Sequence, residues 1–168
     1  MSRMPIRTTA KVTSLRTVDI EKSARGADSA ASLAAAVALH LGGKREEALQ
    51  ELQRAAAAGD ASPDILVAMG HIQFELGRFE EAAASYKAVA EQKPQQAAAW
   101  FNLAVCLEKT GAWREAAGRF QKACTLDPSQ TDAHLGLGMC LLRLDDADGA
   151  MAAFDQCLAL APGNEEAR

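Results

Sequence analysis

The stretch Ala97–Gln130, AAAWFNLAVCLEKTGAWREAAGRFQKACTLDPSQ, decides how the rest of the chain is read. Aligned with its neighbours without a gap, it keeps a period of 34 residues through four copies, 29–62, 63–96, 97–130 and 131–164. Within the segment, Trp100, Leu103, Ala104 and Leu107 precede Gly111, and Ala116, Phe120 and Ala123 precede Pro128. Apolar residues three and four apart on both sides of a glycine describe two helices joined by a turn. A period of that length marks stacked units that bury their apolar faces only against one another.

The order Trp100, Leu103, Ala104, Leu107, Gly111, Ala116, Phe120, Ala123, Pro128 resembles the tetratricopeptide (TPR) repeat, and the resemblance covers 29–164. It implies an all-α fold, a right-handed α-solenoid of four TPR-like helix-turn-helix repeats.

Each recurring residue has a packing reason. Small residues return where two helices are to cross closely: Ala36, Ala48 and Ala55, then Gly70 and Ala82, then Ala104, Ala116 and Ala123, then Gly138 and Ala150. A larger side chain at such a crossing costs roughly 1–3 kcal/mol. Leu52, Tyr86, Phe120 and Phe154 recur one period apart as the knobs that fill the remaining space. Gly43, Gly77 and Gly111 fall between paired helices, where a left-handed residue ends the first helix. Pro94, Pro128 and Pro162 follow the second helix, which a proline cannot continue.

The copies also depart from the pattern. Asp145 replaces the turn glycine in the fourth, and Asp60 the terminal proline in the first. Val89 and Cys157 stand where the other copies carry Ala. With His134 in place of Trp100 and Ala147 in place of Trp113, the fourth copy reads as the loosest. Ser62 followed by Pro63 predicts a helix start, and Asp146 and Asp148 place negative charge at the start of the last helix. The run AASLAAAVALHL at 30–41 has few polar residues on any side, which predicts a helix covered on more than one face.

A length of 168 residues, 49 % hydrophobic but only 5 % aromatic, suits one domain whose core is built from Ala and Leu. No stretch approaches the roughly 20 apolar residues that cross a bilayer, and the first 25 residues lack the apolar run of a secretory signal. These features predict a cytoplasmic protein without membrane insertion. Cys106, Cys124, Cys140 and Cys157 lie on helices at core-like positions and read as small buried hydrophobes rather than disulfide partners.

Residues 1–28 hold six basic and three acidic side chains, a net +3 against −7 on the remainder of a chain whose total is −4. This basic tail reads as disordered, as a cap over the first repeat, or as an arm docking into a groove. No aromatic residue interleaves its charges, which speaks against nucleic acid. Residues 165–168 open what would be a fifth copy. The last helix carries Met151, Phe154, Leu158 and Leu160, which predicts either a longer protein or self-association through an uncapped C-terminal helix.

Catalytic chemistry has no foothold in the sequence. His40, His71 and His134 occupy three different repeat positions, and neither His-x-x-x-His nor Cys-x-x-Cys occurs. There is no phosphate-binding glycine loop and no Gly-x-Ser-x-Gly elbow. The expectation is a non-enzymatic chain with no metal and no cofactor.

What remains is a surface. In the family resembled, the first helix of each pair lines a concave face that meets the ligand. The matching positions are Leu33 and Val37, then Val67, His71 and Phe74, then Phe101, Asn102 and Val105, then Leu135, Met139 and Leu142, with His40 and Glu108 at the same level. Family members that grip a C-terminal carboxylate do so with Lys, Asn and Arg. Of the residues at such positions here, Leu33, Val37, Ala68, Ala98 and Asn102, or Val67, His71, Asn102, Asp132 and Gly136, only Asn102 fits. The expectation is a protein-protein interaction scaffold that takes an apolar peptide or amphipathic helix in its concave groove, as a module of a larger protein or assembly. Two alternatives accompany it: a TPR arm that recruits substrate to an enzyme outside this chain, and a small TPR chaperone for secreted proteins.

Overall fold

The computed structural model describes residues 29–162, which divide into two compact units between Asp60 and Ala61. The expectations for residues 1–28 and 165–168 lie outside the described residues. In the first unit, α1 (29–41) is followed by α2 (Arg45–Ala57). The second unit holds α3 (Pro63–Glu75), α4 (Phe79–Gln92), α5 (Ala97–Lys109), α6 (Trp113–Leu126), α7 (Thr131–Arg143) and α8 (Ala147–Leu160). Each of these six helices packs on the next in chain order, and α5 also touches α7. This is an all-α solenoid of helical repeats, and among the described residues no helix is long and apolar enough to cross a membrane.

One turn geometry closes the first helix of every pair. Gly43, Gly77 and Gly111 take φ of 76°, 74° and 79°. The amide of Gly111 donates to the Glu108 carbonyl at 3.0 Å and that of Ala112 to Leu107 at 2.9 Å, the paired bonds of a Schellman motif. Asp145 adopts φ 60° in the same role, its amide donating to Leu142 at 3.2 Å while that of Asp146 reaches Leu141 at 3.0 Å. The cap of α8 falls to Asp146, whose carboxylate accepts from the Gly149 amide at 3.0 Å. Ser62 does stand at the N-cap of α3 with Pro63 in the first turn, yet its side chain makes no capping bond to that helix.

The small residues sit at the helix crossings. Ala48, Ala82, Ala104, Ala116, Ala123 and Ala150 are wholly buried. A Cβ on Gly70 would lie 2.9 Å from the Tyr86 ring, one on Gly136 2.5 Å from Phe120, and one on Gly138 2.3 Å from Phe154. Tyr86 and Phe120 are buried, whereas Phe154 is half-exposed. All four cysteines are buried free thiols. Burial pushes the thiols of Cys106, Cys124 and Cys140 up to about 11, and raises that of Cys157.

One expectation changes. Helix α1 is not covered on several faces by the described residues: Ala36 is buried, but Val37 is 52 % and Leu41 81 % exposed. His134 makes the contact in the fourth repeat that Trp100 makes in the third. Trp100 Nε1 donates to the Pro94 carbonyl at 2.9 Å, and His134 Nε2 stands 3.1 Å from the Pro128 carbonyl, a donor when that nitrogen carries the proton.

Candidate protein-interaction surface

Helices α3, α5 and α7 open the three repeats of the second unit, so residues one period apart recur on the same face of each. At 3.6 residues per turn, Val67, His71 and Phe74 share a face of α3. Phe101, Val105 and Glu108 occupy the same positions on α5, with Asn102 at their flank, and Leu135, Met139 and Leu142 do so on α7. Leu33 and Val37 hold this register on α1 in the first unit, half-buried and exposed respectively.

These side chains differ in how far the core claims them. Val67 is 36 %, Met139 44 % and Leu142 53 % exposed, large for apolar side chains on ordered helices. Phe101 and Val105, by contrast, pack against the buried cluster of Ala104, Ala116, Phe120 and Leu137. Phe74 meets Phe79 edge-on with ring centroids 5.1 Å apart, which ties α3 to the start of α4. His71 faces Glu75 one turn along, with Nε2 3.4 Å from the carboxylate. Asn102 and Leu135 are half-buried. The face is therefore apolar at its centre, with part of each aromatic committed to holding the hairpins together.

Two features were not read from the sequence. A cavity of about 550 Å³ lies between α6, α7 and α8, lined by Ala117, Gly118, His134, Leu137, Gly149 and Ala152 among others. It opens on the side of α7 away from Met139, because Leu137 and Leu141 lie two residues either side of Met139, some 200° round the helix. Gly118 and Ala152, one period apart on the second helices, were its only sequence signal. The second feature is polar. Gln73 and Ser85, 4 % and 7 % exposed, are hydrogen bonded at 2.7 Å between α3 and α4. Gln73 takes the place that Leu107 and Leu141 fill in the next copies, and its partner could not be inferred from a period.

A tetratricopeptide repeat model matches residues 67–131 and, in a second registration, 113–165. The chain belongs to the tetratricopeptide repeat family. TPR units are protein-interaction scaffolds, and the solved structures similar to this chain share its fold. One crystal structure of MamA superposes with a TM-score of 0.81 at 19 % identity, covering 84 % of this chain and 78 % of that one. A second MamA crystal structure gives a TM-score of 0.75 at 20 % identity over 79 % of this chain and 77 % of that one. MamA MSR-1 gives 0.72 at 21 % identity, over 78 % and 75 %. No curated protein matches the chain in sequence.

Proposed function

We propose that this TPR chain is a non-catalytic scaffold that binds a protein partner's apolar segment, an amphipathic helix or an extended peptide, on the face shared by α3, α5 and α7. The observation that carries the reading is the solvent exposure of Val67, Met139 and Leu142 at repeating positions of helices that are otherwise well packed. Single exposed apolar residues are ordinary, but a register of them along one face is what a docking surface requires. Covering them removes apolar area from water at roughly 25 cal/mol per Å², against which the loss of motional freedom on association must be set. His71, in register with Val105 and Met139, and Asn102 at the flank supply polar contacts on that face. The four cysteines are buried, and burial raises the thiols of Cys106, Cys124 and Cys140 to about 11, which speaks against a nucleophilic role for them.

The test is selection of a displayed library of random peptides on the protein, followed by hydrogen exchange on the complexes. Selected peptides should be rich in apolar residues and should slow exchange in α3, α5 and α7 more than in α4, α6 and α8. Binding should fall at least about tenfold in Met139→Glu, a loss of about 1.4 kcal/mol. Peptides that instead protect α6 and α8 around the 550 Å³ cavity would overturn the assignment.

A further inference from the structure

Resting on that reading, we infer that the partner carries a lysine or arginine that reaches Glu108 within its otherwise apolar contact. Glu108 is half-buried on α5, at the position where α3 presents Phe74 and α7 presents Leu142. It is the next-to-last residue of its helix, where the macrodipole disfavours a carboxylate, so helix stability does not account for it. The carboxylate makes no hydrogen bond or ion pair with the described residues. Its charge is felt across the α5–α7 contact, where it helps raise the Cys140 thiol after burial itself.

Among the described residues, none of the cations near it in the repeat register pairs with it. Lys109 follows directly in sequence, about 100° round the helix from Glu108. Arg143, its counterpart on α7, lies over the Trp113 ring with its guanidinium carbon 5.4 Å from the centroid. His71 faces Glu75. An apolar partner laid over Val105, Met139 and Leu142 would strip water from Glu108 and leave its charge uncompensated, which opposes binding. A partner bearing a basic side chain at that point meets the carboxylate with a charge-assisted hydrogen bond instead. The surface thus selects a segment that is both apolar and basic, and rejects an acidic one.

The experiment compares peptides selected from the same displayed library on the wild-type protein, on Glu108→Gln and on Glu108→Lys, each checked for an unchanged unfolding midpoint. Wild-type selection should enrich Lys and Arg alongside apolar residues. Those peptides should bind Glu108→Gln about tenfold or more weakly, and Glu108→Lys should enrich Asp and Glu instead. Apolar peptides that protect α3, α5 and α7 but show no charge preference, or that bind Glu108→Gln as tightly as wild type, overturn this inference and leave the groove reading standing. Failure of any selected peptide to protect those helices overturns both.

Discussion

The ring of Phe101 meets that of Phe120 edge-on, with centroids 5.7 Å apart and planes inclined at 63°. Phe120 is 1 % exposed, so a residue assigned to the binding face is also a wall of the core. Phe101→Ala should therefore lose stability as well as binding, by about 1–3 kcal/mol for a half-buried aromatic and its ring pair. Met139→Ala should change stability by no more than about 0.5 kcal/mol while weakening a groove ligand. Urea unfolding beside peptide titration separates the two.

Glycines that look alike in the sequence should respond oppositely. Gly136→Ala drives a methyl into the buried Phe120 ring, 2.5 Å away, and is expected to cost about 1–3 kcal/mol. Gly118→Ala, in the interior of α6 with nothing within 4 Å, should raise stability by about 0.5–1 kcal/mol. Thermal denaturation of both variants checks the sign as well as the size.

Adjacent aspartates in the last turn should likewise diverge. Asp145→Gly relieves a left-handed residue and should stabilise by up to about 1 kcal/mol. Asp146→Ala removes the cap on the Gly149 amide and should cost about 1 kcal/mol. Circular dichroism melts of the two variants read the difference.

Alkaline pH should weaken the fold. The thiols of Cys106, Cys124 and Cys140 rise from 9.0 to about 11, and the Tyr86 hydroxyl from 10.0 to about 12. Between those values the unfolded chain has released protons that the folded chain still holds, so unfolding becomes more favourable as pH climbs. Stability should be full below about pH 9 and decline above it, as urea midpoints across that range would show. At neutral pH a thiol-reactive disulfide reagent should label the native protein slowly and all four cysteines once it is denatured.

The period of 34 residues by itself determined the paired helices, the position of the left-handed turns and the small residues at the crossings. Those features follow from local backbone geometry and from contacts that repeat at a fixed offset, so a single chain displays them in order. Asp145 could be assigned to the turn for the same reason. Tertiary structure alone decided how far each apolar residue on the repeating face is claimed by the core. Phe101 and Met139 stand at comparable levels in the sequence pattern, yet one packs against Phe120 and the other is 44 % exposed. It also decided that His134 stands against Pro128 as Trp100 does against Pro94, and that Arg143 lies over the Trp113 ring. Burial and charge pairing are set by what a neighbouring helix brings within a few ångströms, and a repeat length does not carry that information.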